Sequence, residues 1–356
     1  MPEMVDSFGR VVRDLRVSVT DRCNFRCLYC MPEDGLPWLA RDDVLGRDEL
    51  IRALRVAIDL GVRTVRITGG EPTLRRDLVD VVTALGALGV ELSITTNGFL
   101  MDRLAGPLRQ AGLTRANISL DSLRRDRFKQ ITRRDALDRV LAGIDATLAA
   151  GLHPVKINAV VVRDLRVSVT DRCNFRCLYC MPEDGLPWIP RGELLTRDEL
   201  EPMAAWARDL GVELRFIEFM PLDAPGDWTR DQVVPAGEIL ARLDAAFGLE
   251  APDPRGSAPA ERYRYRDGRG AVGVIASVTR AFCAQCDRIR LTADGQVRTC
   301  LFATTEYDLR SVLRSGATDH EVARVYLDAV ARKQWGHRIN EPDFVQPARG
   351  MSQIGG

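Results

Sequence analysis

Nine cysteines fall into three groups of three: Cys23, Cys27 and Cys30; Cys173, Cys177 and Cys180; Cys283, Cys286 and Cys300. The count is odd, and the opening MPEMVDSFGR carries no basic-then-apolar leader. Thiolate ligands in a reducing cytoplasm therefore fit better than disulfides. The first group has the spacing C-x3-C-x2-C. Three thiolates cannot close a tetrahedral zinc site without a fourth ligand. They can hold three irons of a four-iron cluster and leave the fourth iron open to a ligand. The last group, C-x2-C-x13-C, again supplies three ligands. Its hairpin setting would also suit a zinc ribbon, but no fourth cysteine or neighbouring histidine is evident in the sequence.

An open iron can chelate the amino and carboxylate groups of S-adenosylmethionine and pass it one electron. The first triplet resembles the signature of radical S-adenosylmethionine enzymes, and Gly69-Gly70-Glu71-Pro72 follows the next strand, where that superfamily receives the methionyl amino group. Glycines permit close backbone approach, and Glu71 is expected to take the ammonium. Further along, Arg288 and Arg290 directly follow Cys286 in CDRIRLTADG. Strand alternation puts both on one face, where two forked guanidiniums suit a polyphosphate or a purine edge. Arg16 and Arg66 lie in otherwise apolar strands, where an unpaired charge is costly. Lys156 is one of only three lysines, and an edge-strand solubility role is the plainer alternative for it.

Together DLRVSVTDRCNFRCLYCMPEDG, RITGGEP, TTNG, SLDS, VKINAVV, ELRFIEFMPL, CDRIRLTADG and the terminal Gly355-Gly356 closely resemble the molybdenum-cofactor biosynthesis protein A family, the GTP 3',8-cyclases. The resemblance implies two [4Fe-4S] clusters, on Cys23, Cys27 and Cys30 and on Cys283, Cys286 and Cys300. It implies a 5'-deoxyadenosyl radical that takes the ribose 3' hydrogen of GTP, after which C3' attacks guanine C8. The product would be 3',8-cyclo-7,8-dihydroguanosine triphosphate, with the guanine held at the open iron of the second cluster. S-Adenosylmethionine would meet Tyr29, Gly70, Glu71, Ser119 and Met220. GTP would meet Arg16, Arg66, Thr95, Lys156, Arg215 and the stretch Arg288, Ile289, Arg290. Gly355 and Gly356 would reach the active site. Further implied partners are a reductant such as flavodoxin or ferredoxin, a cyclic pyranopterin monophosphate synthase downstream and a second copy in a homodimer. The competing enzyme reading is a radical peptide-modifying enzyme with an auxiliary cluster; the non-enzymatic one is a chain that binds GTP without turnover.

These residues need a scaffold. Candidate strands at 15–20, 62–68, 91–96, 116–120, 153–162 and 213–219 alternate with helical periodicity near 47–60, 76–88, 100–111, 135–149 and 198–210. Gly61, Gly89, Gly112, Gly151 and Gly211 each close a helix before the next strand. The pattern predicts an α/β fold: a partial (β/α)6, TIM-like barrel of the radical S-adenosylmethionine type, with a C-terminal extension carrying the second cluster. The polar motifs then gather at the C-terminal strand ends. The barrel is expected over 1–225 and the auxiliary-cluster and GTP region over 226–356. Within the latter, 251–262 reads as a mobile loop, 272–279 as a strand, Asp294-Gly295 as a hairpin turn and 320–333 as a helix.

Residues 11–38 recur unchanged at 161–188, and RDEL recurs at 47–50 and 197–200. Structural repeats drift at surface positions, so identity throughout marks a copied segment. It sits as an insert over 161–197, on the expected barrel rim, where the family has a short turn. No second GGEP follows Cys180, which argues against a third cluster there. The insert is either a tolerated surface loop or a competitor for the first strand position. Charge balances at 50 basic against 50 acidic residues, three lysines leaving 47 arginines. Zero net charge argues against duplex DNA or an anionic membrane as a bulk partner.

Overall fold

The computed structural model describes residues 1–162, 199–222 and 228–355. The copied segment with Cys173, Cys177 and Cys180, the end of EFMPLD and Gly356 lie outside the described residues.

Six parallel strands alternate with helices. They are β1 (Asp14–Ser18), α1 (Arg47–Asp59), β2 (Thr64–Thr68), α2 (Leu78–Gly86), β3 (Glu91–Thr96), α3 (Met101–Gln110) and β4 (Arg115–Ser119). There follow α4 (Arg125–Thr132), α5 (Leu137–Ala149), β5 (Val155–Val161), α6 (Leu200–Asp209) and β6 (Glu213–Glu218). All five predicted helix-ending glycines take positive φ. The exception to the expected pattern is α4, which periodicity did not indicate. Its sequence, RDRFKQIT, is mostly polar, and only Phe128 and Ile131 give it an apolar face.

The C-terminal region comprises α7 (Ala236–Phe247), β7 (Glu261–Arg264), β8 (Ala271–Ile275), β9 (Arg288–Leu291), β10 (Gln296–Arg298), β11 (Tyr307–Asp308), α8 (Leu309–Arg314), α9 (Asp319–Ala331) and α10 (Met351–Ile354). Its strands join the barrel sheet at both edges, in the order β11-β10-β9-β1-β2-β3-β4-β5-β6-β8-β7. β9 runs parallel to β1, and β8 parallel to β6. The turn at Asp294-Gly295 joins β9 to its antiparallel neighbour β10. The expected mobile loop at 251–262 is instead pinned. Asp253 N–H donates to the Arg262 carbonyl at 2.8 Å, and its carboxylate accepts from Arg262 and Arg264. Arg288 also donates to the Ser257 carbonyl.

Alternation sorts each strand. In β5, Val155, Ile157, Ala159 and Val161 are buried against helices, while Lys156 and Asn158 point to the barrel interior side. Two apolar clusters result. One joins β1–β3 to α1–α3 and α9; the other joins β4–β6 and β8 to α5–α7. The chain re-enters after the copied segment at Glu199. That carboxylate is buried, accepts from Ser122 Oγ at 2.7 Å and pairs with Arg127 at 2.8 Å.

Candidate active site

Three adjacent strands set one row of arginines. In the parallel registers Arg16 lies opposite Arg66 on β2 and opposite Arg290 on β9. Two further rows follow: Thr95, Asn117, Lys156 and Glu213; then Ser119, Asn158, Arg215 and Gly273. Gly273 keeps the last row open, because a Cβ there would stand 3.1 Å from Arg215 Cγ. Arg16, Arg66, Arg215, Arg288 and Arg290 line one cavity. Tyr29, Thr95, Ser119, Met220, Cys283, Cys286 and Cys300 line it as well.

The cavity is built for negative charge. Arg16 Nε is buried without a partner. Burial, then Arg66 and Arg290, push the Arg16 guanidinium well below its ordinary pKa. Arg290 is pushed down to about 10, first by burial. Like charges crowded out of water are costly unless an anion joins them. Glu213, which sequence reading missed, organises the far side. It accepts from Arg215 at 2.6 Å and Arg262 at 3.2 Å, and stands 3.9 Å from Lys156 Nζ. Lys156 is brought down to about 8 by burial and then by Arg215.

Each cysteine triad comes together as free thiols. Burial raises Cys23 to about 12 and Cys30 to about 11, and raises Cys27 as well; Cys30 adds to the rise at Cys23, and both add to that at Cys27. Such thiols ionise when bound to a strongly positive centre. An iron–sulfur cluster takes three thiolates on separate irons and leaves one iron open. Both triads fit such a cluster by donor type and number. In the second triad burial raises Cys286, but Arg288 and Lys333 outweigh it and leave its pKa lowered. Burial raises Cys283, and the neighbouring His337 backbone offsets part of that rise.

The glycine turn after β2 braces the first triad. Gly70 N–H donates to the Thr20 carbonyl and Glu71 N–H to the Arg22 carbonyl, both at 2.7 Å. A Cβ on Gly70 would lie 2.3 Å from the Asp21 carbonyl. The close approach that requires glycine is therefore to the cysteine loop itself. Glu71, expected to take the ammonium, is also a brace, with three of its four bonds on Oε1 and only one on Oε2. Its carboxylate is buried and accepts from Thr73 N–H, Thr73 Oγ1, Thr96 Oγ1 and Asn97 N–H. It locks the GGEP and TTNG turns together. Ile289 likewise turns its side chain into the apolar core, so only its backbone faces the row of arginines. Asp121, inside SLDS, accepts from Tyr29 Oη at 2.7 Å and from Val160 N–H at 3.0 Å. Burial raises Asp121 to about 6.

The C-terminus enters this space. Ser352 on α10 lies beside Cys30 and offsets part of the rise that burial imposes on that thiol. Arg290 donates to the Gly355 carbonyl.

A cysteine loop after the first strand, braced by a glycine turn at the mouth of a parallel partial barrel, places the chain in the radical S-adenosylmethionine class, and residues 17–165 match the Radical SAM superfamily. Crystal structures of Streptococcus suis SuiB share the fold. With S-adenosylmethionine bound the TM-score is 0.56 at 13% identity, over 96% of this chain and 77% of that one. With the precursor peptide SuiA bound it is 0.58 at 13% identity, over 96% and 76%. Residues 212–339 match the Molybdenum Cofactor Synthesis C family. A GTP 3',8-cyclase of Streptomyces coelicolor is 50% identical over 358 residues, covering 99% of this chain and 96% of that protein. One from Corynebacterium glutamicum is 45% identical over 366 residues, covering 99% and 89%. The chain belongs to the GTP 3',8-cyclase family. It is a radical S-adenosylmethionine enzyme of molybdenum-cofactor biosynthesis that cyclises GTP and uses two [4Fe-4S] clusters. Peptide modification, the competing enzyme reading, gives way to these full-length matches. Among the described residues no helix is long and apolar enough to cross a membrane.

Proposed function

We propose that the row Arg290–Arg16–Arg66 receives the GTP triphosphate, with Arg215, Arg288 and Lys156 closing around it and Thr95 at the next strand end. The register itself carries this reading: three guanidiniums on adjacent parallel strands, with one Nε unpartnered. The ribose would then lie between this row and Tyr29, Ser119 and Met220, which line the other part of the same cavity and hold S-adenosylmethionine. Gly70 and Glu71 act on that side by fixing the turns, and Ile289 by its backbone.

When bound, the clusters supply the electron that cleaves S-adenosylmethionine and an open iron for the guanine. The chain does the rest. Its arginines neutralise a ligand of about four negative charges. Its β strands fix the ribose against the adenosyl group, so that reacting atoms meet without a search. The tail at Gly355 covers the cavity against water. The barrel over 1–225 carries the radical chemistry, and 226–356 the auxiliary cluster and most of the nucleotide contacts. A flavodoxin- or ferredoxin-type reductant, a downstream cyclic pyranopterin monophosphate synthase, a homodimer and a cytoplasmic setting complete the proposal; the free thiols support the last.

The test is anaerobic reconstitution followed by dithionite, S-adenosylmethionine and GTP, with R16M and R66M beside the parent chain. The expected result is 5'-deoxyadenosine with cyclised GTP from the parent, and loss of GTP affinity in both variants. Unchanged affinity in either variant overturns the assignment of the row.

A further inference from the structure

Lys333 follows α9 and is 4% exposed. Its ammonium donates to the Arg288 carbonyl at 2.6 Å and the Cys286 carbonyl at 3.0 Å, and lies 3.9 Å from Cys286 Sγ. Those contacts account for its three protons. A buried ammonium normally has a carboxylate partner. Among the described residues Lys333 forms no ion pair with one; burial lowers its pKa, and the groups that favour its charged form are Cys286 and Cys300.

The following residues continue around the same triad. A Cβ on Gly336 would stand 2.8 Å from Cys283 Cβ and 3.0 Å from its sulfur, so only glycine fits. The His337 backbone then lies beside the same cysteine. Arg10 clamps the segment from outside, donating to the Cys283, Gln334 and Trp335 carbonyls at 2.6–2.7 Å. Residues 333–337 thus form a wrap that touches two of the three ligands, with one fixed positive charge.

We infer that Lys333 is a positioning residue of the auxiliary cluster, whose buried charge holds the Cys286 ligand and favours the cluster state carrying the extra electron. This rests on the reading of Cys283, Cys286 and Cys300 as cluster ligands. A positive charge beside a thiolate in a low-dielectric site stabilises added negative charge, so its removal makes the reduction potential more negative. The hydrogen bonds to two carbonyls fix where the charge sits.

The experiment is an anaerobic, EPR-monitored redox titration of the holoenzyme, comparing the parent with K333R, K333Q and K333M. The signal that S-adenosylmethionine does not perturb reports the auxiliary cluster. The expected result is a more negative potential for that signal in K333Q and K333M, recovery in K333R, and no movement of the other signal. Loss of the auxiliary cluster in both neutral variants with retention in K333R also supports the inference. Unmoved potentials in loaded neutral variants, equal movement of both signals, or loss of the cluster in K333R as well overturns it. If the parent itself has no signal insensitive to S-adenosylmethionine, the cluster reading fails instead.

Discussion

The guanidinium of Arg290 donates to the backbone carbonyl of Gly355, so the end of the chain is held inside the barrel by a residue of the anion-binding row. Gly355 has φ +75°, and a Cβ there would stand 2.2 Å from Thr68 Oγ1. Alanine therefore meets both a left-handed backbone and buried β2. Converting Gly355 and Gly356 to alanine should abolish cyclisation while leaving cluster iron unchanged. Product formation and iron content, measured together, check this; parent-level turnover contradicts it.

Arg16 sits among like charges, and its site is unfavourable until an anion arrives. R16M should raise the melting temperature of the nucleotide-free protein, by the equivalent of about 1 kcal/mol. It should also weaken GTP binding by about ten- to a hundredfold, as expected for a lost charge-assisted hydrogen bond. Calorimetry reads both. A variant less stable than the parent would show that the guanidinium serves the fold.

Lys156 is charged below about 8 and neutral above. A bound triphosphate favours the ammonium, so binding near that pH takes up a proton. GTP affinity should fall as pH rises through about 8, and K156R should flatten that step because guanidinium stays charged. Titration calorimetry in buffers of different ionisation enthalpy measures the proton uptake. A parent profile that stays level from pH 7 to 9 rules it out.

Glu71 accepts four hydrogen bonds that join two turns. E71Q must point an amide N–H₂ at one of these donors, costing about 1–3 kcal/mol. S-Adenosylmethionine affinity should drop together with thermal stability. Lost affinity at parent stability would show a direct ligand role instead.

The parent should carry about eight irons per chain, against about twelve were the copied cysteines to hold a third cluster. Serine at Cys173, Cys177 and Cys180 should leave the count at about eight. Iron and acid-labile sulfide assays decide this.

Much of this was legible before folding. Glycine-punctuated βα units, two cysteine triads and GGEP are local signals, because helix caps, strand alternation and ligand spacing are set within a few residues. They predicted six strands and placed Arg288 and Arg290 on one face of a strand. Helix α4 was not legible, being too polar to show a periodic face, and the contacts of 251–262 come from Asp253 and from Arg288, distant in sequence.

The identities of the partners were decided only in three dimensions. Spacing says nothing of which strand lies beside β1; it is β9, from nearly the far end of the chain, and that pairing alone sets Arg290 beside Arg16. Glu71 gained a bracing role between two turns, and Glu213 became an organiser because β5 and β6 are neighbours. Lys333, one of three lysines in the sequence, gains its meaning from the two carbonyls and the sulfur around it. Residue types and short-range spacing fix which chemistry is available, whereas long-range strand pairing and burial decide which charges are paired and which are left for a ligand.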